Sequence, residues 1–208
     1  MTVLKKLASA QNRRDNEPNK ALATRLARQK DHKSIQELRE NLGHKDKKIQ
    51  SDCITVLYEI GYLSPELIED YVDDFIALTG SKNNRLVWGA MMALSTIAQS
   101  KPKEIFRRRN QIFKAIETGS VITKDNGIKA LSTVAAVKTE FHHAIFPFLL
   151  QHLKNCRAKD IPQHAESVLT CVRPKHQKGF LEILNRRKDE LKPAQRKRIN
   201  KIFKFLGV

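Results

Sequence analysis

The chain contains only three cysteines, Cys53, Cys156 and Cys171, and no two of them form a CxxC pair. An odd count without paired spacing argues against a disulfide framework and fits a reducing compartment. Glycine and proline together number 15 in 208 residues, which leaves little room for a loop-rich β fold. No apolar run approaches the ~20 residues needed to span a bilayer. The opening residues, MTVLKKLASAQNRRD, lack the apolar stretch of a secretion signal. A cytoplasmic location without membrane association is therefore expected. GxSxG, P-loop, HExxH and Gly-rich dinucleotide motifs are missing as well, so the chain is expected to be no enzyme and to carry no metal or cofactor.

What is present in excess is positive charge, at +17 overall. Residues 1–104 carry 17 Lys/Arg and 14 Asp/Glu, whereas residues 105–208 carry 22 and 8, a net of +14 for the second half. Such a field draws an anionic partner, either nucleic acid or an acidic protein, although solubility alone is the plainer explanation. Glu66, Glu69, Asp70, Asp73 and Asp74 interrupt the pattern in the first half. Lying between Ile68, Val72 and Phe75, they are expected to form the solvent face of an amphipathic helix.

The apolar residues repeat. Leu57, Leu94, Leu131, Leu169 and Leu206 stand 37, 37, 38 and 37 residues apart. Four residues before each stand Cys53, Ala90, Gly127, Ala165 and Ile202, and one before stand Val56, Ala93, Ala130, Val168 and Phe205. Three after the first four stand Ile60, Ile97, Val134 and Val172. Offsets of −4, −1, 0 and +3 share one helical face, and a small residue at −4 lets a neighbouring helix approach closely. A second apolar stripe, Phe75–Ile76, Ile112–Phe113 and Leu149–Leu150, follows 18 or 19 residues after its marker. Pro65 and Pro102 precede it as helix openers, with Ser64 as a cap. Turn-prone TGSKNN (79–84), TGS (118–120) and KNCRAKD (154–160) separate the two helices of each pair. One pair cannot bury its apolar face alone, so neighbours must stack.

The segment NNRLVWGAMMALSTIA at 83–98 resembles the second helix of the HEAT-like α-helical repeat family, and Pro147 inside the first helix AIFPFLL resembles that family's often kinked first helix. The resemblance covers roughly residues 34–208. Val87 and Lys124 stand about where the family often has arginine. The resemblance implies an all-α, right-handed α-α superhelix, a HEAT-like solenoid of about five helix pairs, with second helices lining a concave face where partners bind. Residues 33–208 are expected to form that single domain. Residues 1–32 are expected to cap it with one or two helices, broken near 12–20, with Leu22 and Leu26 facing inward.

Residues outside the core columns are the ones left for binding. Trp88 and Met92, four apart, could be a concave apolar anchor or could fill the gap between repeats. Arg107, Arg108 and Arg109 are placed midway along a first helix, and Lys124 and Lys129 near the start of a second. Arg157, Lys159, Lys175 and Arg187 fall in or beside turns, and Arg196, Lys197, Lys201 and Lys204 cover the last helix. Aligned turns could follow a phosphate backbone without reading sequence. The phenylalanines fall mainly in core columns, which leaves few stacking platforms and favours duplex or structured nucleic acid over single strands. The alternative is a protein-interaction scaffold for an acidic partner. A third reading comes from certain HEAT-like alkylpurine DNA glycosylases, which are similar in size and charge; their site, aromatic residues around an acid, has no residue-by-residue match around Trp88 and Asp125. His152 and Cys156 share a helical face but show no third metal ligand in the sequence, so packing accounts for them. His142 and His143 are read in the same way.

Overall fold

A computed structural model of the chain describes residues 2–207. Among these residues there are twelve α-helices, joined by turns and short 3-10 segments, and no strand. They form two compact units, residues 1–127 and 128–208, with the division falling inside the eighth helix.

The first unit opens with 3-10 turns at Val3–Lys6 and Ser9–Gln11, followed by α1 (Glu17–Gln29) and α2 (His32–Glu40). The chain does break before Glu17, and Leu22 and Leu26 are buried. α3 (Lys47–Leu63) is the centre of the unit, packing against α1, α2 and α5 (Asn84–Ile97). Asp46 and Asn83 cap α3 and α5 by accepting from the backbone N–H groups of Lys48 and Arg85. α4 (Val72–Leu78) packs on α5 and α6 (Pro102–Arg107), and α7 (Arg109–Thr118) precedes α8 (Val121–Val137).

A buried polar network ties the N-terminal turns to this core. Asn19 accepts from the Ala8 N–H at 3.0 Å and donates to Asp52 at 2.8 Å, while Asp52 also accepts from the Ser9 N–H at 2.8 Å. Each group is satisfied by another, which is what makes a carboxylate tolerable inside a helix bundle.

The second unit continues from α8 into α9 (Thr139–Asn155), α10 (Ile161–Leu169), α11 (Pro174–Arg186) and α12 (Pro193–Phe205). α9 packs on α10 and α11, and α10 packs on α12. Glu166 and Arg198, each the sixth residue of its helix, form a bidentate pair at 2.8 and 2.6 Å that joins α10 and α12 at equivalent positions. That is the register the leucine column requires.

The repeat columns account for the core. Leu57, Leu94 and Leu131 are fully buried, as are Cys53, Ala90, Ala165, Val56, Ala93, Ala130 and Val168. The small column works as expected at Gly127: a Cβ added there would lie 2.5 Å from Ile116 Cγ1, so α7 and α8 pack at a distance that only glycine permits.

Four expectations need correction. The acidic stretch is not one amphipathic helix; Pro65–Leu67 and Glu69–Tyr71 are separate 3-10 turns, and only Val72–Leu78 is α-helical. Its carboxylates are used in part, Asp74 pairing with Arg39 and Asp70 with Lys101. The triple arginine does not lie mid-helix, because α6 ends at Arg107 and α7 begins at Arg109. Pro147 does lie inside a first helix, since α9 runs through it as one element. Finally, Phe205 is 76% exposed and Leu169 and Leu206 are half-buried, since no further helix of the described chain covers that face of α12. Only four of the nine phenylalanines, Phe75, Phe141, Phe146 and Phe180, are buried.

Candidate functional site

The helices α3, α5, α8, α10 and α12 carry the leucine column, and their N-terminal ends share an unusual chemistry. None has an acidic residue in its first turn. A helix start carries partial positive charge, which acidic side chains there would offset. Instead, Lys47 and Lys48 open α3 behind its Asp46 N-cap, Arg85 is the second residue of α5, Lys159 stands just before the Asp160 N-cap of α10, and Arg196 and Lys197 are the fourth and fifth residues of α12. These residues stand nine or ten positions before their marker leucines, so they form a column of their own.

In the first unit this column builds a site. Arg13, Arg14, Lys47, Lys48 and Arg85 line one cleft of about 590 Å³, with Ser51, Asp15 and Asp52 among its other walls. Asp15 is engaged by Arg13 at 2.9 Å, which holds its carboxyl below the ordinary value, and Asp52 is committed to the buried network. Arg14, Lys47, Lys48 and Arg85 have no carboxylate partner among the described residues. Sequence reading missed all five cations because counting charge by halves averaged them against the acidic run at 66–74. The column at −9 and −10 was the signal that could have found Lys47, Lys48 and Arg85; Arg13 and Arg14 lie outside it.

Trp88 lies beside this cleft. It is half-buried, its ring 6.0 Å from that of Tyr58 on α3, with the Arg85 guanidinium 5.1 Å from the indole centroid. Tyr58 meets Tyr62 edge-on at 6.3 Å, and Tyr62 is 46% exposed. Met92, one turn on, is half-buried. The pair therefore belongs to a part-exposed aromatic surface along α3 and α5, extended by Tyr62 and backed by buried Tyr58, neither of which the sequence singled out. Also in this unit, Arg107 and Arg108 are exposed at the α6–α7 junction, and Lys124 is half-buried on α8.

In the second unit the sequence-selected cations divide into bound and outward-facing groups. Arg187 is committed: it binds Glu190 through both guanidinium arms at 2.8 and 2.6 Å and donates to the Leu153 and Cys156 carbonyls at 2.9 and 2.7 Å. Arg157 pairs with Asp160 at 2.6 Å. Arg196 donates to the Leu191 carbonyl at 2.9 Å. Lys129 is exposed in the middle of α8 rather than near its start, and Lys175 lies 3.4 Å from His143. Lys159, Lys197, Lys201 and Lys204 are exposed, with no carboxylate partner among the described residues. Lys197, Lys201 and Lys204 fall at i, i+4 and i+7 on the face of α12 opposite buried Ile199 and Ile202.

The histidines form two groups. His142 is fully buried, stacked on Phe146 at 4.5 Å and on His176 at 4.8 Å, and its Nε2–H donates to the Cys171 carbonyl at 3.0 Å. Burial, with Arg173 nearby, lowers its pKa to about 4, and its Nδ1 has no partner among the described residues. The second group joins His152 and Cys156 to a residue the sequence reading did not consider, His164. No helix among the described residues is long and apolar enough to cross a membrane.

No family model matches the chain, and no curated protein matches it. Solved structures do. A designed armadillo repeat protein in complex with the peptide (KR)4 is 12% identical with a TM-score of 0.69, over 98% of this chain and 99% of that one. A computationally designed armadillo repeat protein for modular peptide recognition is 14% identical with a TM-score of 0.66, over 97% of both chains. An engineered protein is 17% identical with a TM-score of 0.65, over 98% of this chain and 96% of that one. The chain thus has the all-α helical-repeat fold of HEAT and armadillo type.

Proposed function

We propose that the protein is a non-catalytic scaffold that binds nucleic acid through its phosphate backbone. The observation that carries this reading is the cleft of Arg13, Arg14, Lys47, Lys48 and Arg85 at the starts of α3 and α5. Cations at helix N-termini oppose the helix dipole; Asp46 and Asn83 each engage one backbone N–H of these helix starts, and the remaining N–H groups add to the cations as a phosphate receptor. Lys159, Lys197, Lys201 and Lys204 supply a second set in the other unit; Arg107, Arg108 and Lys124 in the first unit, and the remaining sequence-selected cations, are secondary. Such contacts fix position without reading bases. A fluorescence-anisotropy titration with a DNA duplex tests it. The Lys47→Ala/Lys48→Ala/Arg85→Ala variant is expected to bind at least about 10-fold more weakly near physiological salt. Wild-type protein that fails to bind duplex even at low salt overturns the reading.

One observation favours a second reading, an acidic peptide as ligand. Tyr62, Trp88 and Met92, backed by buried Tyr58, offer apolar anchorage beside the same cations, on the helices that line the groove in this architecture. A similar designed protein is complexed with the basic peptide (KR)4; here the charge of the ligand would be inverted. Trp88→Ala separates the two readings, since it should weaken an anchored peptide strongly and a phosphate backbone little.

A further inference from the structure

We propose that His152, Cys156 and His164 form a zinc site that pins the end of α9 to the start of α10. The three residues each present a ligand atom, and these atoms lie within 4.8 Å of one another. His152 sits in the last turn of α9, and Cys156 follows at its C-cap, its N–H donating to the His152 carbonyl at 2.8 Å. Residues four apart at a helix end face the same way, which sets up two ligands. The chain then turns back through the 3-10 segment Ala158–Asp160, braced by the two-armed Arg157–Asp160 pair at 2.6 and 3.1 Å. His164 arrives in the first turn of α10 with its Nδ1 2.9 Å from His152 Nε2. All three ligands are thus held by helices or helix ends rather than by a long loop.

The geometry is close to that of a metal site. Tetrahedral zinc, with Zn–N near 2.0–2.1 Å and Zn–S near 2.3 Å, sets neighbouring ligand atoms about 3.3–3.6 Å apart. The two imidazoles need to part by about 0.4 Å and the thiol to close in by at most about 1.2 Å, movements within side-chain rotation. A set of two imidazoles and one thiolate suits zinc better than calcium or magnesium. His152 and Cys156 are half-buried, which gives an ion a way in, while His164 is buried and anchors the inner side. Burial raises the pKa of the Cys156 thiol; Arg187, 3.8 Å from its sulfur, opposes that in part and closes the same turn through its bonds to the Leu153 and Cys156 carbonyls. Three protein ligands leave the fourth position for water. On binding, the ion displaces the thiol proton. The proton shared between the imidazoles moves to the other nitrogen of its own ring, so about one proton is released per ion.

Reduced, chelator-stripped full-length protein is titrated with Co²⁺ and then with Zn²⁺. One equivalent of Co²⁺ is expected to give a thiolate charge-transfer band and tetrahedral d–d bands, which Zn²⁺ then bleaches. Cys53 and Cys171 are buried and belong to no group of three potential metal ligands among the described residues, so the band reports Cys156. Cys156→Ser should abolish the band. Cys156→Ser and His164→Gln should each weaken Zn²⁺ binding by more than the ~10–100-fold that loss of an outer hydrogen-bond partner costs. Should circular dichroism show His164→Gln unfolded, His152→Gln takes its place. His32→Gln, on the surface, should bind as wild type. Binding other than one to one, an octahedral cobalt spectrum, or wild-type affinity in Cys156→Ser overturns the proposal. This test is independent of nucleic-acid binding.

Discussion

Lowering the pH from 7 to 5 should destabilise the protein through His142. The imidazole is fully buried between Phe146 and His176 and donates to the Cys171 carbonyl, an environment that holds it neutral down to a pKa of about 4. The unfolded chain takes up the same proton near pH 6.5. Between these two values the unfolded state binds more protons, so the stabilisation is present above about pH 6.5 and drains as pH falls towards 4. Across the whole window the shift corresponds to about 3 kcal/mol, of which about 2 kcal/mol is lost between pH 7 and pH 5. His176, also lowered by burial, acts in the same direction. Urea unfolding followed by circular dichroism at pH 7, 6 and 5 gives the measurement. In His142→Phe an aromatic ring remains in the stack but the titration is gone. The variant should lose about 1 kcal/mol at pH 7 with the Cys171 hydrogen bond, and its stability should fall by about 2 kcal/mol less than wild type on going to pH 5. Parallel pH profiles for the two proteins would refute the reasoning.

Leu94→Ala and Leu131→Ala should each cost about 2–5 kcal/mol in urea unfolding, because both side chains are fully enclosed. Gly127→Val should lower Tm, since even a Cβ would meet Ile116; an unchanged Tm would mean that α7 and α8 separate freely. Asn19→Ala leaves the Asp52 carboxylate and the Ala8 N–H each short of a partner and should cost about 2–3 kcal/mol, whereas no change would show the network to be hydrated rather than buried.

Much of the fold is legible in the sequence because helical packing writes itself into spacing. Leu57, Leu94 and Leu131 recur at the repeat length because each fills the same place between successive helices. The pattern loosens at Leu169, Leu206 and Phe205, where burial depends on what covers α12 and not on the residue itself. The short 3-10 turns between Ser64 and Val72 were hidden for a different reason: Ile68, Val72 and Phe75 have helical spacing, but backbone hydrogen bonding is not fixed by apolar period alone. The candidate sites were less legible. Arg13 and Arg14 come from the segment before α1, while Lys47, Lys48 and Arg85 come from α3 and α5, and only tertiary packing brings them to one cleft. His164 stands eight residues from Cys156, a separation that becomes a contact only because the chain reverses between α9 and α10.

The central claim is that unpaired cations at the starts of the inner helices meet phosphates. The salt dependence of duplex binding tests it most directly. Each phosphate neutralised contributes about −0.9 to the slope of log K against log salt. Lys47→Ala/Lys48→Ala/Arg85→Ala should therefore make the slope shallower by about 2 to 3 relative to wild type, by the same amount on duplexes of unrelated sequence. A variant with weaker binding but an unchanged slope, or a wild-type slope near zero, would contradict the account.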